Sequence, residues 1–208
     1  MRVNAWRAWA LLAAGIGAAG CGFALPASSV PADGAIDWRA EPEQVPTRRT
    51  PFLWAAAGDG VLVRPRAAFD ISAVVAAAEP YGLDEGAFLS PVDLVMTWGR
   101  LPEEPYRSRV SYNQMARFYF WRTRDADLDL RYIATHSANM HMIPADRNLR
   151  RALAHVGAGD RVRIRGLLVD VEAPHLRWHT SLSREDTGPG ACELVWVEEM
   201  QRGDRLYQ

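Results

Sequence analysis

From Gly60 onward the chain breaks into short segments rich in β-branched and aromatic residues, VLVRP, AFDISAVVAAA, PVDLVMTWG, RFYFWRT and LDLRYIA, separated by Gly, Pro and Asp clusters. That punctuation permits many strands and few helices. In VDLVMTW the residues Val92, Leu94, Met96 and Trp98 share one face, as in a strand with one side on a core. In CELVWVEEM both faces are apolar, Cys192, Leu194 and Trp196 on one and Val195 and Val197 on the other, which predicts a central strand and a packed Cys192. One helix stands out in ADRNLRRALAHVG, with Asp146 as a cap, Leu149, Leu153 and Val156 on a stripe, and Gly157 as the stop. The strand-like runs GDRVRIRGLLVDVE, HLRWHTSLS and ACELVWVEE follow it. The expectation is a mainly β fold with one helix: a small β-barrel of the OB type, where a helix sits between the third and fourth strands, is favoured over an SH3-like barrel or a β-sandwich. A length of 208 residues with 49% hydrophobic content fits one such domain, placed at 59–200.

The remaining segments are read as appendages. MRVNAWRAWALLAAGIGAAGC has Arg2 and Arg7 before an apolar run, Ala8 to Ala19, too short to span a bilayer comfortably. Residues 1–21 therefore read as a secretory signal. Its end, Ala18-Ala19-Gly20-Cys21, resembles the bacterial lipobox, departing from it at Ala18 where a larger aliphatic residue is usual. The resemblance implies lipidation at Cys21 and a membrane-anchored chain; ordinary signal cleavage and an uncleaved signal anchor are the alternatives. Gly22, rather than Asp, after that cysteine implies the outer membrane, facing the periplasm, by similarity to lipoprotein sorting in Gram-negative cells. Residues 22–58, rich in Pro and Ala, read as a tether, and 201–208 as a polar tail.

Composition excludes several chemistries. All 24 basic residues are arginine, so a lysine Schiff base, a lysine general base and a P-loop lysine are absent. A formal charge of −1 makes nucleic acid an unlikely partner. With only Cys21 and Cys192, lipid on the first leaves the second alone in an oxidising compartment. His136 and His141 are five apart and His175 and His179 four apart, without cysteine or carboxylate at zinc spacing, so neither a metal nor a cofactor is expected. Neither G-x-S-x-G nor S-x-x-K occurs, and the serines near histidines, Ser137, Ser181 and Ser183, do not make a triad.

Asp186-Thr187-Gly188, in SREDTGPGAC, is the tripeptide that carries the catalytic aspartate of aspartic proteases. Arg184 and Glu185 precede it where apolar strand residues are needed, and only 20 residues follow, too few for the supporting half of such an enzyme. Asp186 and Gly190 instead supply turn chemistry, predicting a hairpin between HLRWHTSLS and ACELVWVEE. In DRVRIRG, Arg161, Arg163 and Arg165 line one strand face, with Arg147, Arg150 and Arg151 on the helix before it. Such a face suits phosphate, lipid headgroup, acidic glycan or an acidic protein, or else is a solvated face paired with carboxylates across the sheet. The aromatics of RFYFWR and LRWHT suit stacking on a ligand or, more simply, a core.

The segments SANMHMIPA (Ser137 to Ala145), GDRVRIRGLLVDV (Gly159 to Val171) and WHTSLSREDTGPGACELVWVE (Trp178 to Glu198) look like those of a family of uncharacterised bacterial exported proteins, which pair a signal or single membrane anchor with such a domain. The resemblance runs from about Val61 to Glu199 and implies an exported, lipoprotein-like context, with no activity or catalytic residue attached. It marks Asn139, His141, Ser181, Arg184, Asp186, Thr187 and Glu193 as polar positions within its motifs. The functional expectation is a non-catalytic cell-envelope protein whose β-rich domain binds a protein partner or an anionic ligand, chiefly at the arginine face. The alternative is an envelope hydrolase with a polar site near SANMHM and SLSREDTG.

Overall fold

A computed structural model describes residues 26–54, 60–186, 188 and 190–208. The signal segment, Cys21 and Thr187 lie outside the described residues.

Five strands form the body: β4 (Leu62–Pro80), β5 (Val92–Thr97), β8 (Ser137–Pro144), β9 (Arg161–Ala173) and β11 (Glu193–Arg202). β4 is long enough to serve two neighbours, pairing with β9 from Leu62 to Val74 and with β5 from Val74 to Pro80. β5 pairs with β8, β8 with β11 in parallel, and β11 returns antiparallel to β9. The pairing order β4-β5-β8-β11-β9-β4 is a closed ring, so none of the five is left as an edge. The helix α3 (Arg147–Leu153) lies between the third and fourth of these strands, the connectivity expected for an OB-type barrel. Its cap is the expected one, the Asp146 carboxylate accepting from Leu149 N at 2.8 Å.

The barrel interior is filled from alternate positions of every strand, among them Phe69, Ile71, Leu94, Met96, Met140, Met142, Ile164, Leu168, Val195 and Val197, and Leu149, Leu153 and Val156 close one end. A second apolar cluster lies outside β9 and β11, where Trp54 and Phe52 pack edge-on against Trp196. The two-faced burial of β11 follows: Val195 and Val197 face inward while Leu194 and Trp196 face this outer cluster.

Several elements differ from their sequence-based expectation. Residues 26–54 run along the barrel as a strap, with β1 (Val30–Pro31), β2 (Glu43–Pro46) and β3 (Phe52–Leu53) added to the sheet. Strands of two to four residues carry no readable period, which is why this stretch looks like a tether. The last residues form β12 (Arg205–Tyr207), paired with both β11 and β1 through a turn at Gly203. LDLRYIA is largely the helix α2 (Leu130–Thr135), because Asp129 caps it by accepting from Tyr132 N; a further short helix, α1, spans Tyr106–Arg109. RFYFWRT lies mostly in β7 (Phe118–Thr123), which pairs with β6 (Val110–Met115) as a separate two-stranded hairpin. HLRWHTSLS and ACELVWVEE do not form a hairpin. β10 (Leu176–Trp178) folds back on β9, the described residues between 179 and 192 form no strand, and both edges of β11 are taken by β8 and β9.

Candidate functional site

Residues of β8 alternate between the barrel interior, which receives Ala138, Met140 and Met142, and the outer face, which receives Asn139 and His141. Register places Asp93 of β5 directly opposite His141. Asp93, Asn139 and His141 are all buried, with 0%, 1% and 2% of their surfaces exposed, although they lie outside the barrel. The cover comes from the β6–β7 hairpin and from Trp178 of β10.

The hairpin tip is held by Arg117. Its guanidinium meets Asp93 Oδ1 at 3.1 Å, both oxygens of Asp84 at 2.7 and 3.0 Å, and the Ser90 carbonyl at 3.1 Å. It also lies over the rings of Tyr81 and Trp178, 4.0 and 5.1 Å from their centroids. Ala116 and Arg117 have φ of 50° and 66°, a region costly to residues with a Cβ, so the contacts of Arg117 maintain a strained turn. Beneath it, Gln114 Nε2 donates to Asn139 Oδ1 at 2.8 Å and to the Asp93 carbonyl at 3.1 Å, and Asn139 Nδ2 donates to the Arg117 carbonyl at 3.2 Å. His141 Nδ1 is 2.8 Å from Asp93 Oδ1 but off hydrogen-bonding alignment, and it has no hydrogen-bond partner among the described residues. Its ring packs on Trp178, centroids 4.4 Å apart.

Over these groups lies a cavity of about 470 Å³. Phe118, Leu176 and Trp178 supply its apolar lining, Arg117, His141 and Cys192 contribute from the buried network, and Asp84, Glu85 and His179 add polar groups. Gly86 lies close against it: a Cβ there would meet Trp178 at 3.0 Å and the Arg117 guanidinium at 3.3 Å, so either side chain would have to give by a few tenths of an ångström. Burial pushes the Cys192 thiol up to about 12, so it is not a thiolate nucleophile at ordinary pH. A larger open groove at the hairpin base, lined by Arg109, Arg122 and Arg124, lacks any buried polar group among its lining residues.

Ser181, Arg184 and Asp186 belong to a different cluster, where β11 begins. Arg184 bonds Glu193 Oε1 at 2.8 Å and lies over Phe69, closing the barrel mouth, while Glu193 Oε2 is buried without a partner. Ser181 Oγ donates to Asp186 Oδ2 at 2.6 Å, fastening the loop. The space beside them, about 30 Å³, has room for roughly one water. Burial pushes the Glu193 carboxyl up to about 7, against 4.5 for the free side chain, with Arg184 opposing. The stabilising contribution of this protonated group is fully present below pH 4.5 and is lost as the pH rises through about 7. Urea midpoints should therefore fall by the equivalent of about 3 kcal/mol across that window relative to Glu193→Gln, which lacks the titration.

The arginine strand is compensated. Arg163 forms two bonds to Asp70, at 2.9 and 2.6 Å, Arg165 pairs with Glu199 at 2.8 Å, and Arg161 stacks over Trp38. Of the residues singled out in the sequence, Asn139 and His141 meet at the cavity, Ser181, Arg184 and Asp186 at the barrel mouth, and the three arginines on the sheet face. Asp93, Arg117 and Trp178 complete the cavity site. Asp93 had one signal, a lone acid in the apolar run VDLVM, and Arg117 had none. Among the described residues no group of three or more His, Cys, Asp or Glu could hold a metal ion. Compared with models of known families, with curated proteins and with solved structures, the chain matches none.

Proposed function

We propose that the protein is a ligand-binding cell-envelope lipoprotein, anchored through Cys21 and held at the outer membrane on the periplasmic side, whose barrel takes its ligand in the cavity between Trp178, Phe118 and His141. The observation that carries the ligand site is a polar cluster, the buried Asp93, His141 and Asn139 with the half-buried Arg117, converging beneath a cavity that Phe118, Leu176 and Trp178 line on its apolar side, the arrangement by which proteins orient a small molecule. A ligand for this site has a flat apolar face to stack on Trp178 and a hydrogen-bonding group for His141. Arg117 is already engaged by Asp84 and Asp93, so a neutral or cationic group fits the polar end better than an anionic one. Anionic ligands would have to use other surfaces.

A hydrolase would use the same His141–Asp93 contact to orient an imidazole base. Among the described residues it would lack a side-chain nucleophile beside that base, since the Cys192 thiol is held protonated and Ser181 is bonded to Asp186 in the other cluster, so such an enzyme would have to activate water. Protein extracted gently from its own membranes should give a denatured mass starting at Cys21 with acyl chains, and a native mass larger by a species lost on denaturation. A denatured mass without lipid would refute the anchor, and a native mass without adduct would refute the ligand site.

A further inference from the structure

We propose that the end of the barrel carrying α3 and β12 is a membrane-docking surface for anionic phospholipid headgroups; this rests on the lipid anchor proposed at Cys21. Residues 27–31 are tied to the domain, so the anchor has little reach. Ala27 packs against the barrel core, and Ser28 exchanges two hydrogen bonds with the Asn148 side chain on α3, at 2.7 and 2.8 Å. Val30 and Pro31 pair with Leu206 and Arg205 of β12. From Cys21 to Ala27 is six residues, at most about 21 Å of extended chain, which brings this end of the barrel to the bilayer surface.

The charge at that end suits such a surface. Among the described residues, Arg147, Arg150, Arg151 and Arg205 form no ion pair with a carboxylate, in contrast to Arg163, Arg165 and Arg202. Arg205 donates to the Ser29 hydroxyl and carbonyl and Arg150 to the Phe88 carbonyl, neutral acceptors that leave the charges uncompensated. Of the nearby acids, Asp146 caps α3, Asp160 pairs with Arg202, Asp84 pairs with Arg117, and Asp33 and Asp204 lie past the other end of the β1–β12 pairing, so that Glu79 and Glu85 are the exposed acids left against these four arginines. The β4–β5 loop, at this same end because Val92 of β5 pairs with Met142 of β8 just before α3, holds Leu83 fully exposed and Phe88 at 44% exposure. Exposed apolar side chains beside uncompensated arginines match a headgroup boundary.

The test is arginine footprinting with phenylglyoxal on the mature, full-length protein reconstituted into phosphatidylglycerol or phosphatidylcholine vesicles. Arg147 and Arg205 should react at least about threefold more slowly on phosphatidylglycerol, with Arg122 and Arg124 of the hairpin, next to the opposite end of β8, unchanged. Equal rates at Arg147 and Arg205 on the two lipids would overturn the docking surface. In Arg147→Glu with Arg205→Glu, association with phosphatidylglycerol should drop by about fivefold per lost arginine, and unchanged association would likewise overturn it. The denatured mass of the same sample separates the two claims. Acyl chains with equal rates would leave the anchor standing without the surface, and lipid-selective protection without acyl chains would leave the surface without the anchor.

Discussion

Replacing Asp93 by alanine should destabilise the domain by about 2–3 kcal/mol, the loss typical of removing a buried, charge-assisted hydrogen-bond partner whose counter-ion keeps a second carboxylate. Asp93 is the point at which the hairpin, β8 and the cavity meet: its Oδ1 lies within 3.1 Å of both the Arg117 guanidinium and His141 Nδ1, and its carbonyl receives Gln114. Without the carboxylate, Arg117 keeps Asp84 and the Ser90 carbonyl, but His141 faces an apolar methyl with its ring buried against Trp178. Asp93→Asn keeps the volume and part of the hydrogen bonding, so its loss should be smaller. Urea unfolding of the two variants checks the order. A loss below about 1 kcal/mol in Asp93→Ala would mean that the polar network is not what holds the hairpin down.

The second large effect is expected at Gly166. It lies on β9 opposite Val197 of β11 and Phe69 of β4, where β11 carries a register irregularity between Val197 and Glu199. A Cβ built on Gly166 would stand 1.9 Å from the Trp196 carbonyl oxygen and 3.1 Å from Glu198 N, both backbone atoms. No rotamer change relieves such a contact, so Gly166→Ala must push β11 away from β9 and open the ring at the junction that closes it. The expected loss is about 3 kcal/mol or more, the upper end for overpacked sites. Gly157→Ala is the control: a Cβ there meets nothing within 4 Å, and the change should stay within about 0.5 kcal/mol.

The sequence is most legible where local chemistry and tertiary packing agree. Asp146, the Leu149–Leu153–Val156 stripe and Gly157 define α3 without knowledge of the fold, and that helix before GDRVRIRG is what favours an OB-type barrel. The two apolar faces of CELVWVE anticipate a strand packed on both sides, as β11 is. By contrast, LDLRYIA has strand composition, and it folds as a helix capped by the Asp129 side chain on Tyr132 N, with Ile133 buried in a cluster with Leu101, Tyr106 and Val110. The strap is hidden because its strands are short and its buried residues are few: Ile36 stands in a polar and Pro-rich stretch, and Trp54 in the short run FLW, which shows no period.

The site divides in the same way. Asn139 and His141 were legible as polar residues in a strand-like segment, but Asp93 joins them only through the β5–β8 register, which no local pattern reveals. Arg117 acts through a hairpin that folds over the sheet from a distance, so its partners Asp84 and Asp93 are more than twenty residues away in sequence. The arginine strand shows the converse. Its alternation was conspicuous, yet Asp70 and Glu199 on the neighbouring strands compensate two of its three charges.

The central claim is that the space between Trp178, Phe118 and His141 holds a ligand. Its most direct test is the native mass of wild-type protein, Trp178→Ala and Arg163→Glu, each extracted from its own membranes under the same gentle conditions. The account predicts an adduct on wild type and on Arg163→Glu that is absent from Trp178→Ala. An adduct kept by Trp178→Ala and lost from Arg163→Glu would contradict it, placing the binding surface on the arginine strand instead.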